Sequence, residues 1–106
     1  MSDRPAAGGG GSRGDGPEQA RDLALYHFVG CPYCTRVTRA LRELGVAVEM
    51  RDIRAEPAHR ARLVRARGRA TVPVLLITDE AGAEQWMPES LDIVAYLRRR
   101  FSPASC

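Results

Sequence analysis

Two cysteines separated by two residues, Cys31-Pro32-Tyr33-Cys34, carry the clearest chemistry in this chain. The thiolate is the nucleophile of thiol–disulfide exchange, and a free cysteine is mostly protonated at neutral pH. One sulfur therefore needs help to ionise. Gly30 breaks an apolar run, Pro32 suits the first position of a helix, and Cys31 then falls at the N-cap. Unpaired backbone N–H groups and the positive end of the helix dipole stabilise S⁻ there. Cys31 is thus expected to be the exposed, low-pKa nucleophile. Cys34, one turn inward on the same helical face, is expected to be the less exposed, resolving thiol. The competing use is a zinc half-site. That would need four ligands, and His27, His59 and Cys106 lack the spacing of a second pair, so no metal is expected.

A second pattern is Thr71-Val72-Pro73, ahead of a β-branched run. Proline donates no ladder hydrogen bond, so it fits a strand's start better than its middle. A cis Val72–Pro73 bond would turn the Val72 N–H and C=O outward, free to pair with an extended peptide. A trans proline ending a loop satisfies the same pattern.

These groups need a frame. Leu23 to Val29 is apolar on both alternating faces with only His27 polar, which predicts a strand covered on both sides. Val37, Ala40, Leu41 and Leu44 then recur at helical spacing, with Arg36, Arg39, Arg42 and Glu43 on the opposite face. Gly45 ends that helix. Val46 to Met50, or slightly beyond, predicts a second strand, parallel to the first through a right-handed crossover. Glu56 and Pro57 open a weaker helix towards Arg67, with Leu63 and Val64 as its apolar contacts and Gly68 closing it. Val74 to Ile77 is a core strand, Asp79 to Gly82 a turn, and Glu84 to Met87 an antiparallel edge strand. A final helix starts near Glu89 or Ser90 and is expected to bury Leu91, Val94, Leu97 and Phe101, with Ile93 beside them. The order β-α-β-α-β-β-α is that of an α/β domain.

The chain has 106 residues, room for one domain. Residues 1–22, with four consecutive glycines, read as a disordered tail, 23–101 as the domain, and 102–106 as a flexible C-terminus. All 16 basic residues are arginine, dispersed among acids for a net charge of +3. That pattern lacks the concentrated footprint of a nucleic-acid binder. No apolar run is long enough for a bilayer span, and no apolar segment near the start marks a secretory leader, so a cytoplasmic location without a membrane partner is expected. His27 and His59 read as structural and solvated. Trp86 reads as packing, and Arg98-Arg99-Arg100 as complementing a helix C-terminus. Cys106 has no assigned role.

Together these residues resemble the glutaredoxins, of the thioredoxin-fold superfamily, over about residues 23–101. Cys31-Pro32-Tyr33-Cys34 after the first strand, Thr71-Val72-Pro73 and the closing helix carry the resemblance. It implies a thioredoxin-like fold with a mixed four-stranded sheet flanked by helices. The segment from Trp86 to Leu97 looks like the first domain of glutathione-transferase-like glutaredoxins. In that pattern the Glu89-Ser90 pair holds the γ-glutamyl group of glutathione. Ser90 with nearby helix N–H groups offers an anion site, and Glu89 can pair an ammonium. Plain capping of the helix is the other reading. Such relatives continue into a helical second domain, whereas a stand-alone first domain is expected here. A Lys that many small glutaredoxins place before the first Cys is replaced by Phe28 and Val29, leaving Arg69 as the substitute cation.

The resemblance implies a glutathione-dependent oxidoreductase with Cys31 and Cys34 catalytic, glutathione as reducing co-substrate, and Tyr33, Arg69, Thr71, Val72, Pro73, Glu89 and Ser90 around it. Its partners would be protein disulfides and glutathionylated proteins, and the chain would act as a monomer. Three alternatives stand beside it: a 2Fe–2S cluster shared between two chains, another small thiol or thioredoxin reductase as donor, and glutathione conjugation, which needs an electrophile pocket. Pro32 and Tyr33 speak against the cluster, because a rigid proline disfavours the loop adjustment it wants.

Overall fold

The computed structural model describes residues 18–101. The expected tail up to residue 17, the C-terminus from 102 and Cys106 lie outside the described residues. The elements are β1 (Glu18–His27), α1 (Pro32–Leu44), β2 (Val46–Asp52), α2 (Pro57–Arg67), β3 (Val74–Thr78), β4 (Glu84–Met87) and α3 (Ser90–Phe101). They build one sheet in the order β2-β1-β3-β4. β1 runs parallel to β2 and antiparallel to β3, and β4 closes the far edge antiparallel to β3.

From Leu23 to Tyr26 the residues of β1 alternate between two cores, which is why that stretch is apolar at every position. Leu23 and Leu25 face one side, with Val37 and Leu41 of α1, Leu75 of β3, and Ile93 and Leu97 of α3. Ala24 and Tyr26 face the other, with Ile53, Leu63 of α2, Val74 and Leu76. A helix pair thus covers one face and a single helix the other. Tyr26 is fully buried, and its hydroxyl accepts a hydrogen bond from Arg51 Nη1 at 2.6 Å, so its polar end is satisfied.

Both boundaries of β1 differ from the sequence expectation. β1 begins at Glu18 rather than Leu23, because Glu18 and Gln19 pair with Val46 and Ala47 before an irregularity that ends at Ala24. It also stops at His27, leaving Val29 80% exposed just before the left-handed Gly30. β2 runs slightly beyond Met50, as expected, to Asp52, whose neighbour Ile53 donates its N–H to the His27 carbonyl at 2.9 Å. One core assignment is also wrong. Leu91 is 66% exposed, because Ile93 and Leu97, four residues apart, take the inward stripe of α3. Val64, Val94 and Phe101 are half-buried.

Candidate active site

Cys31 caps α1, with Pro32 at the first helical position and Gly45 in the left-handed conformation closing the other end. The Cys34 N–H donates to Cys31 Sγ at 3.4 Å. The Cys31 carbonyl accepts from both the N–H and the hydroxyl of Thr35, each at 3.0 Å, and the Cys31 N–H donates to the Phe28 carbonyl at 3.3 Å. This tight turn corrects one expectation: Cys31 is buried, not exposed, at 5% accessibility against 2% for Cys34. The exposed residues of the motif are Pro32 and Tyr33, which lie outward over the turn.

Both cysteines are free thiols. Burial pushes the Cys34 thiol up, and a hydrogen bond to Cys31 raises it further, to about 12 from the usual 9.0, against a smaller opposing pull from the Phe28 main chain. The pair is therefore asymmetric. Cys34 holds its proton beside a partner sulfur that already accepts one main-chain hydrogen bond.

A cavity of about 460 Å³ lies beside this turn, within the range of small-ligand sites. It gathers Tyr33, Arg69, Thr71, Val72, Pro73, Glu89 and Ser90, the seven residues that the resemblance implies around glutathione. The Val72–Pro73 bond is cis. Glu89 has a positive φ of 68°, a conformation that costs a non-glycine residue energy and persists where surroundings enforce it. Its carbonyl accepts the Ile93 N–H at 3.0 Å, so Glu89 caps α3 and Ser90 opens it. The cysteines themselves are not among the lining residues; Tyr33 connects them to the cavity.

Sequence reasoning missed Arg36, Arg67, Val74, Pro88 and Leu91, which also line the cavity. Arg36 lies opposite the apolar stripe of α1, yet its Nη1 donates to Ser90 Oγ at 3.2 Å across the α1–α3 contact. Its place three residues beyond Tyr33, one helical turn on, was the available signal. Among the described residues no group of three or more His, Cys, Asp or Glu could hold a metal ion, and no helix is long and apolar enough to cross a membrane.

A dithiol at the start of the first helix, a cis proline opening β3 and this strand order define a thioredoxin-like α/β domain of the kind that begins glutathione transferases. The family model for the glutathione S-transferase N-terminal domain matches residues 25–105, and the chain belongs to that family. Among solved structures it is similar to TDR1, a trimeric glutathione transferase from Leishmania, at 28% identity and a TM-score of 0.64, covering 79% of this chain and 19% of that one. It is also similar to a maleylacetoacetate isomerase from Anaeromyxobacter dehalogenans, solved with dicarboxyethyl glutathione and citrate bound in its active site. That match has 25% identity and a TM-score of 0.58, covering 77% of this chain and 38% of that one. The glutathione transferase URE2P6 from Phanerochaete chrysosporium, in complex with oxidized glutathione, shows the shared fold at 22% identity and a TM-score of 0.60, covering 79% of this chain and 38% of that one. The chain thus spans between 19% and 38% of the length of these three structures. No curated protein matches it.

Proposed function

We propose that this domain is a glutathione-dependent thiol–disulfide oxidoreductase of glutaredoxin type, acting on protein disulfides and glutathione mixed disulfides. The observation that carries the reading is the Cys34 N–H directed at Cys31 Sγ over 3.4 Å, next to a cavity holding Val72, Glu89 and Ser90. Two thiols in contact at a helix start can pass between dithiol and disulfide.

The Cys31 thiolate attacks the glutathione sulfur of a protein mixed disulfide. That S–S bond breaks, the protein leaves as a thiolate that takes up a proton, and Cys31 carries the glutathionyl group. A second glutathione, as its thiolate, attacks that group and departs as glutathione disulfide, which restores Cys31. With a protein disulfide, Cys31 first forms a mixed disulfide with the protein. Cys34 then attacks Cys31 Sγ, its proton passing to the departing protein thiolate. Two glutathiones reduce the resulting Cys31–Cys34 bond. Glutathione supplies the two electrons in each case, and glutathione disulfide is the oxidised product. In the cavity, Val72 offers main-chain groups to the peptide, Glu89 a carboxylate to its ammonium, and Ser90 with the first N–H groups of α3 a cradle for its α-carboxylate. Arg69 serves the glycine carboxylate.

The deciding experiment is a coupled assay on a glutathionylated peptide, offering NADPH with either glutathione and its reductase or thioredoxin reductase. Turnover is expected with the first pair only. Turnover with thioredoxin reductase and none with glutathione would overturn the choice of donor.

Family membership favours a second reading, transfer of glutathione to an electrophile. It predicts a thioether product from an aryl halide and glutathione, which the oxidoreductase reading does not.

A further inference from the structure

We propose that two copies of this chain associate through the outer edge of β2, about a twofold axis at Met50, joining two four-stranded sheets into one. In the order β2-β1-β3-β4 this strand is outermost, and among the described residues no strand pairs with its far side. Such an edge presents unpaired N–H and C=O groups that template pairing with another chain. The opposite edge is short by comparison. β4 has four residues, and Glu84 at its start is tied to Arg62 of α2, whereas β2 has seven.

The register of β1 against β2 fixes which groups are free. Ile53 donates its N–H to the His27 carbonyl, so Glu49, Arg51 and Ile53 direct their main-chain groups at β1. Direction alternates along a strand, so Val48, Met50 and Asp52 direct theirs outward. A second copy, antiparallel and with Met50 opposite Met50, meets all three. Val48 then exchanges hydrogen bonds with Asp52 of the second copy, and Met50 with its own equivalent. In that register Glu49 stands opposite Arg51 of the second copy, on both sides of the axis. An axis one residue earlier or later sets Glu49 against Glu49 or Arg51 against Arg51, which repels.

This self-complementary charge selects a second copy as the occupant. Arg51 Nε already meets Glu49 Oε2 at 2.8 Å, and Arg51 Nη1 donates to the Tyr26 hydroxyl at 2.6 Å, so the pair is held in place on the α2 side of the sheet. Twofold pairing completes a square of alternating charges. On the α1 side, a groove of about 490 Å³ is lined by Leu41, Val46, Val48 and Met50 among others. Met50 is 44% exposed there. Across the axis each flexible Met50 side chain reaches the diagonal Val48 of the other copy and covers its groove. None of these residues lines the cavity beside the redox turn, so association and turnover are separable.

Sedimentation velocity on the full chain, with a reductant present to prevent intermolecular disulfides, tests the proposal. A monomer–dimer equilibrium with Kd about 10–100 μM is expected, the range of a small strand-edge contact. Glu49→Arg and Arg51→Glu should each weaken association at least about tenfold, because like charges then face each other twice. Mixing the two variants should restore a dimer, since every Arg again meets a Glu. Arg51→Glu also removes the donor to Tyr26, so circular dichroism accompanies each variant, and hydrogen exchange on the unsubstituted chain gives a second readout. There the amides of Val48, Met50 and Asp52 should gain protection as concentration rises, while those of Glu49 and Arg51 are protected throughout. A monomer at every concentration, the state that the resemblance implies, would overturn the proposal. So would a dimer indifferent to both charge reversals, or one whose formation leaves the three outward amides unprotected.

Discussion

Cys31 and Cys34 are joined by a hydrogen bond from the main-chain N–H of the second to the sulfur of the first, at 3.4 Å. The contact makes two chemically identical thiols unequal. One sulfur receives a fixed donor at the helix start; the other sits a turn deeper with its proton retained.

The first expectation separates the two roles. Cys31→Ser should abolish turnover of a glutathionylated peptide. Cys34→Ser should retain deglutathionylation and lose reduction of a protein disulfide. Parallel assays with both substrates check it, and equal loss of both activities in Cys34→Ser would contradict the division of labour.

The raised Cys34 pKa has a sign that can be worked through. The folded chain holds the Cys34 proton up to about pH 12, whereas an unfolded thiol releases it near 9.0. Between those values the unfolded state binds fewer protons, so stability declines as pH rises through that window. Below it the contribution is fully present. Urea unfolding of reduced protein from pH 8 upward should show the decline, and Cys34→Ser should flatten it. In the same samples, alkylation near pH 8 should leave Cys34 unlabelled in peptide maps.

Removing Glu89 and Ser90 together, as the double alanine variant, should raise the glutathione concentration needed for half-maximal rate several-fold. Initial-rate kinetics across a glutathione series would show it. An unchanged requirement would remove both residues from the site.

Asp22 of β1 ties the sheet to α3 through paired hydrogen bonds from Arg100 at 2.8 and 2.9 Å. The Arg100 guanidinium holds the Asp22 carboxyl below its usual value, so this contribution is present above pH 3.8 and lost as pH falls below it. Both side chains are more than a third exposed, which caps the effect near ~0.5 kcal/mol. Asp22→Asn should cost about that much at pH 7 and progressively less as pH falls below 3.8, by denaturant titration.

In the core, Leu97→Ala removes a fully buried side chain between α3 and the sheet and should cost about 3 kcal/mol. Leu91→Ala, on the same helix but 66% exposed, should cost less than about 0.5 kcal/mol. Comparing their midpoints in one urea series tests the corrected facing of α3.

Much of this protein was legible before any coordinates, because its elements announce themselves locally. Cys31, Pro32 and Gly45 bracket α1 through capping chemistry confined to a few neighbouring residues. The unbroken apolar run of β1 required cover on both faces, and two separate cores supply it. Glu89, Ser90, Val72 and Tyr33 could be nominated because each sits in a short motif that carries the family resemblance. What stayed hidden depends on distance in space. The burial of Cys31 follows from how Phe28 and Thr35 close the turn around it, and that closure leaves no mark on residue spacing. The true start of β1 rests on pairing with Val46 and Ala47, some thirty positions away, so a polar segment read as tail became part of the sheet. Leu91 and Ile93 are equally apolar, and only the packing direction of α3 decides which is inside. The bond from Arg36 to Ser90 spans 54 residues of chain, and it exists because α1 and α3 lie side by side on one face of the sheet.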